Sequence, residues 1–256
     1  MRYLLAPITD FLLAWQLLTA APLPFNRPDS NRPAGYAAPY YPLVGLILGG
    51  LLALAGVAFY FLLPANLAAA LVLAVWVGLT GMLHLDGFMD ACDGLLPPRD
   101  RERRLEIMKD SRVGAFGVVG GVLLLLLKFN GLAALPPVLR GPALLTAPML
   151  ARWAQTWAMW RYPLARPGGM GDFFRQGLTG PRVLVMSVGV LAVAGALLGW
   201  LGLVFAGVTW LLAALVARFA TARIGGFTGD VYGALAEITE TVLLALAAAA
   251  GYWGLW

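Results

Sequence analysis

Apolar runs of about 20 residues, the length that crosses a bilayer, recur along the chain near 42–63, 66–85, 113–131, 141–160, 183–200, 204–223 and 238–256. Pro64, the Pro136–Pro137 pair and "GWLG" at 199–202 mark short turns between some of them. The other connections, 86–112, 161–182 and 224–237, are longer and polar. This alternation predicts an all-α, polytopic integral membrane helical bundle with about seven transmembrane helices. The whole of 1–256 is expected to form a single membrane-embedded domain. In the N-terminal stretch, about 1–24, Asp10 interrupts the apolar core and 11–21 is too short to span. That stretch reads as an interfacial or re-entrant segment, not as a cleaved signal.

Composition sharpens the class. Hydrophobic residues make up 61% of the chain and charged residues only 12%, against roughly half and a quarter in a soluble domain. The single cysteine, Cys92, excludes an internal disulfide framework. The net charge of +5 is spread over loops, which points to orientation in the membrane and not to nucleic-acid binding. Arg99, Arg101, Arg103, Arg104, Lys109 and Arg112 crowd one loop, and Arg161, Arg166, Arg175 and Arg182 another. With seven spans and a cytoplasmic N-terminus, both fall in the cytoplasm together with 224–237. Three small-xxx-small pairs, Gly45/Gly49, Gly117/Gly121 and Gly195/Gly199, either bring helices into close contact or reflect only how common glycine is in membrane helices.

The chemistry concentrates in "HLDGFMDACDG" at 84–94. On a helix, Asp86, Asp90 and Asp93 stand at i, i+4 and i+7, within roughly 60° of one another. Gly87 and Gly94 flank that stripe and leave room for a bulky ligand. Carboxylates about 6 Å apart repel by roughly 3 kcal/mol per close pair at an effective dielectric of 20, so protons or a divalent cation must accompany them. Oxygen ligands alone suit Mg²⁺ or Mn²⁺ better than zinc. The bland alternative is a solvated acidic helix end. His84 falls on the opposite side of the helix and reads as a packing or interfacial residue, and Cys92 as inert filler.

A second acidic group lies in "GGFTGDVYGALAEITE" at 225–240. Its Gly226, Thr228 and Gly229 offer backbone N–H groups to a phosphate, and Asp230, Glu237 and Glu240 offer carboxylates to a second metal or a proton. Between the two acidic groups, "LEIMKDSRVGAFG" at 105–117 supplies Lys109 and Arg112 as phosphate clamps, accompanied by Ser111 and Gly114. Arg152 lies well inside the fourth span, where an unpaired charge costs about 2.5–3.5 kcal/mol or more. It is expected to face a carboxylate or a ligand. Arg218 is near a helix end and can snorkel.

"HLDGFMDACDGL", "RRLEIMKDSRVGAFG", "YPLARPGGMG" and "GGFTGDVYGALAEITE", with "YYPLVGLILG" at 40–49, resemble in order and spacing the cobalamin synthase (adenosylcobinamide-GDP ribazoletransferase) family. One departure is Thr19-Ala20-Ala21-Pro22, where the family usually carries Thr-Arg-Ile-Pro. The resemblance implies an inner-membrane, Mg²⁺-requiring enzyme with its active face in the cytoplasm. It would join adenosylcobinamide-GDP to α-ribazole or its 5′-phosphate and release GMP, the final step of nucleotide-loop assembly. On that reading Asp86, Asp90 and Asp93 hold metal, with Asp93 as the base, while Lys109, Arg112 and Arg152 neutralise phosphate. Asp230, Glu237 and Glu240 complete the metal or nucleoside site. The partners implied are the two substrates and the lipid bilayer; self-association or association with other cobalamin-assembly enzymes stays open. The competing classes are a CDP-alcohol-type phosphotransferase, whose aspartate motif is similar, a prenyltransferase and a divalent-cation transporter. A transporter would want its acids at the bilayer midplane among broken helices.

Overall fold

The computed structural model describes residues 2–22, 33–166 and 170–256. The expectations attached to 23–24 and to 167–169 of the "YPLARPGGMG" motif lie outside the described residues. In chain order the helices are α1 (Arg2–Leu18), α2 (Tyr41–Leu62), α3 (Ala65–Leu79), α4 (Leu83–Leu95), α5 (Arg101–Ile107), α6 (Ala115–Ala134), α7 (Pro137–Arg161), α8 (Met170–Arg175), α9 (Gly180–Leu198), α10 (Trp200–Ile224) and α11 (Gly229–Tyr252). Among the described residues the only β-type pairing is an isolated bridge between Leu164 and Phe227.

Five helices, α2 with the turns before it, α6, α9, α10 and α11, are long and apolar enough to cross a membrane, and the α3–α4 pair makes a sixth if taken as one bent span. The remaining expected span corresponds to α7. At 25 residues it is as long as α10, but it carries Arg140, Arg152, Gln155 and Arg161. It is tolerated because α7 runs through the interior, with α2, α9, α10 and α11 packed around it, and its mid-helix polar residues, Arg152 and Gln155, are buried against protein.

Close backbone contact sets the α2–α7 pair, the most extensive in the bundle. A methyl group on Gly45 or Gly49 would collide with the carbonyls of Pro148 and Leu144 on α7. Gly117 and Gly121 likewise seat α6 on the α4 residues Met89 and Asp93. The third pair does no such work: Gly195 and Gly199 have open space where a side chain would go.

Two boundaries differ from the sequence pattern. The expected span 66–85 is not continuous, because the chain turns by 88° between α3 and α4. Gly81 and Met82 take left-handed backbone angles, φ +59° and +61°, which no helix can propagate. The last turn of α3 is closed instead by outside groups. The Thr80 hydroxyl donates to the Trp76 carbonyl (3.1 Å) and the Ala20 amide donates to the Leu79 carbonyl (2.8 Å). The expected final span 238–256 begins earlier, at Gly229. Thr228 caps it by accepting from the Val231 amide at 3.4 Å. Asp230 and Glu237, which resemble loop residues in the sequence, are inside α11, and Glu237 pairs with Lys128 of α6.

Replacing Gly49 by leucine is expected to destabilise the protein by about 2–4 kcal/mol through overpacking against the α7 backbone. Gly195→Ala should be neutral or slightly stabilising. Thermal unfolding of both variants in detergent checks the contrast.

Candidate functional site

The polar connections meet at one end of the bundle, and arginines knit them there. Arg101 donates to the carbonyls of Ile224 (3.0 Å) and Ala165 (2.7 Å), Arg104 to those of Gly94 (2.9 Å) and Leu95 (2.6 Å), Arg223 to Leu95 (3.0 Å) and Arg166 to Leu105 (2.9 Å). These bonds satisfy the orphan carbonyls at the C-termini of α4 and α10. Much of the positive charge in 99–104 is therefore structural.

Inside this cap lies a cavity of about 720 Å³. Asp86 and Gly87 of α4 form one wall; Thr228, Gly229 and Asp230, at the start of α11, form the facing one. Lys109 and Arg166 also line it. The two acidic walls come together because glycines remove the bulk between them. A methyl on Gly87 would sit 3.0 Å from the Asp230 Cα, and one on Gly233 3.0 Å from the His84 carbonyl. The Thr228 hydroxyl donates to Asp230 Oδ2 at 3.2 Å. Asp90, half-buried, lies within electrostatic reach of both Asp86 and Asp230.

Among the described residues no three His, Cys, Asp or Glu side chains converge as a closed metal cage. Mg²⁺ needs no such cage. It keeps several waters and binds through one or two carboxylates together with substrate phosphates. Asp86 and Asp230, opening on a shared cavity with Asp90 beside them, fit that requirement. Asp93, expected as ligand and base, does not. It is buried, its Oδ2 accepts from the Gly114 amide (2.7 Å) and its Oδ1 from the Gly117 amide (2.8 Å). It caps the N-terminus of α6 from a neighbouring helix. Both oxygens are thus taken up by backbone amides of another helix and do not open on the cavity.

Glu237, Glu240 and Arg152 also differ from expectation. Lys128 Nζ donates to Glu237 Oε2 (2.8 Å) and Glu240 Oε2 (2.5 Å), and Arg152 donates to the other oxygen of Glu240. Arg152 Nη2 also meets His84 Nδ1 at 3.3 Å, and the Lys128 ammonium sits 4.4 Å from the centre of the Trp76 ring. All are buried. Two cations and two anions balance, so Glu237 and Glu240 are not available to a metal, nor Arg152 to a phosphate.

The profile of the family described as cobalamin-5-phosphate synthase matches residues 10–248. The chain belongs to that family. A relative from Roseiflexus sp. (strain RS-1), named adenosylcobinamide-GDP ribazoletransferase, is 39% identical over 244 residues, covering 94% of this chain and 88% of the relative. Relatives of the same name from Desulforamulus reducens and Pseudomonas paraeruginosa are 42% and 44% identical, covering 91% and 94% of this chain and 94% and 98% of their own lengths. No solved structure matches the chain.

Of the residues expected to form the site in this synthase-family chain, Asp86, Gly87, Lys109, Thr228, Gly229 and Asp230 line the cavity. Gly94 instead packs on Met108 and the Arg104 carbonyl, and Gly114 on Asp93. Gly226 lies against the Pro163 carbonyl, beside the bond from the Phe227 amide to that carbonyl (2.9 Å). Arg112 and Ser111 are exposed. The Arg112 guanidinium turns back on Asp110 at 2.7 Å, and its hydrogen bonds hold that carboxyl down at about 2. Sequence reasoning missed Lys128, Gln155 and Arg166. A lysine in the middle of the 113–131 run was the available signal for the first. Arg166 stands in the quoted "YPLARPGGMG" motif, which was the signal for it; nothing local marked Gln155.

Lys128→Met leaves two buried carboxylates facing one arginine and is expected to cost about 3–5 kcal/mol. Adding Glu237→Gln should recover part of that loss, as unfolding midpoints of the single and double variants will report. Asp93→Asn, by loss of the α6 cap, should lower stability by about 1–2 kcal/mol while turnover of the folded fraction stays near normal.

Proposed function

We propose that the chain is an adenosylcobinamide-GDP ribazoletransferase of the inner membrane with its active face in the cytoplasm. The carrying observation is the cavity that sets Asp86 and Asp230 beside Lys109 and Arg166, in a chain related over most of its length to proteins of that name. The basic segments that roof the cavity support the cytoplasmic placement of that face.

A hydroxyl of α-ribazole, or of its 5′-phosphate, attacks the phosphorus attached to cobinamide. The new P–O bond forms as the bond to the bridging oxygen of GMP breaks, and GMP leaves with that oxygen. The hydroxyl proton passes to a cavity-facing carboxylate, Asp86 or Asp230, in place of Asp93. Lys109 and Arg166 place positive charge against the phosphoryl oxygens, where charge accumulates in the transition state. Asp86 and Asp230, with Asp90 beside them, would hold Mg²⁺, which when bound supplies further positive charge to the diphosphate. The apolar remainder of the cavity, including Leu17, Leu18 and Met159, excludes water from an activated phosphoryl group that water would otherwise hydrolyse.

Purified protein given adenosylcobinamide-GDP, α-ribazole and Mg²⁺ is expected to release GMP. Chelation with EDTA should abolish release and added Mg²⁺ restore it. Asp86→Asn should lower turnover by about 100-fold or more. Absence of GMP from the wild-type protein with all three components would overturn the assignment.

A further inference from the structure

His84 is the one histidine in the chain. It is 3% exposed, and what it lines is the cavity. Its Nδ1 faces Arg152 Nη2 at 3.3 Å. A guanidinium has no acceptor to offer, so Nδ1 must be the accepting nitrogen and the ring proton resides on Nε2. Among the described residues Nε2 makes no hydrogen bond, and it is not one of the fully buried nitrogens left without a partner; the cavity that His84 lines is what it faces. The tautomer is held from behind, because Arg152 is anchored by Glu240, Glu240 by Lys128, and Lys128 by Glu237. Four helices thus combine to aim one neutral N–H at the space two residues along α4 from Asp86.

Resting on the transferase reading above, we infer that His84 is a catalytic hydrogen-bond donor. Its Nε2–H is directed at a phosphoryl or leaving-group oxygen of the bound diphosphate, with Arg152 and Glu240 as positioning residues. A neutral donor fixed before the substrate arrives needs no reorganisation as negative charge develops on that oxygen. The contribution belongs to the transition state, so it falls on kcat more than on KM.

Asparagine and glutamine separate the two nitrogens. Asparagine at 84 places its polar group where Nδ1 was and can still accept from Arg152; glutamine reaches the place of Nε2 and keeps a donor there. His84→Asn is expected to unfold at nearly the wild-type temperature yet lose about 100-fold in kcat with little change in KM, and His84→Gln to stay within about ten-fold of wild type. Wild-type activity from H84N, equal losses in both variants, or a change confined to KM would overturn the role. A wild-type protein that releases no GMP would instead sink the transferase reading itself. The second measurement needs no substitution. In ¹⁵N-histidine-labelled protein without a histidine tag, the single imidazole should show the neutral Nε2–H tautomer, and its Nε2 resonance should move when adenosylcobinamide-GDP is added. An Nδ1–H tautomer, or a resonance indifferent to that substrate, would refute the inference even if H84N failed to fold.

Discussion

A buried ion network beneath the cavity is the constraint on which the rest of this bundle depends. Lys128 of α6, Arg152 of α7 and Glu237 and Glu240 of α11 are sealed from solvent. None could remain charged there alone, since an isolated buried ion costs several kcal/mol even after relaxation. Each therefore requires the others at hydrogen-bond distance, which fixes the rotation and depth of three helices at once. His84 brings α4 into the same arrangement. Apolar packing alone would allow these helices to slide by a turn with little penalty, because lipid tails are as apolar as leucine.

Close glycine contacts act with the network. Gly87 and Gly233 let α4 and α11 approach until the acidic residues of the two helices share one cavity, and Gly114 and Gly117 let Asp93 reach the amides of α6. The carboxylates therefore divide by environment. Asp93, Glu237 and Glu240 are held by internal donors and maintain the scaffold; Asp86 and Asp230 open on the cavity with Asp90 beside them. This division also explains how a bundle can keep like charges near one another: Asp86 and Asp230, without donors from another helix, are the ones that open on the cavity.

The basic residues divide in the same way. Arg101, Arg104 and Arg223 spend their donors on carbonyls at helix ends, whereas Lys109 lines the cavity and Arg166 does both, donating to the Leu105 carbonyl and lining the cavity. The basic segments therefore have two roles in this fold: part of them closes the end of the bundle, and part of them lines the cavity.

The sequence by itself determined the all-α membrane architecture, because runs of about 20 apolar residues have few other stable fates, and it determined the face of α4 that carries Asp86, Asp90 and Asp93, because helical periodicity is local. It also carried the family motifs. Only the tertiary structure decided which acids serve the site. Glu237 and Glu240 look as available as Asp230 until Lys128 and Arg152, more than 80 residues away in the chain, arrive to neutralise them. Asp93 looks like its two neighbours until the amides of α6 claim both its oxygens. His84 reads as a packing or interfacial residue until Arg152 meets its Nδ1. The physical reason is the same each time: a residue's type and period are encoded locally, but what a buried polar group does is set by the partner that satisfies it, and that partner comes from another helix.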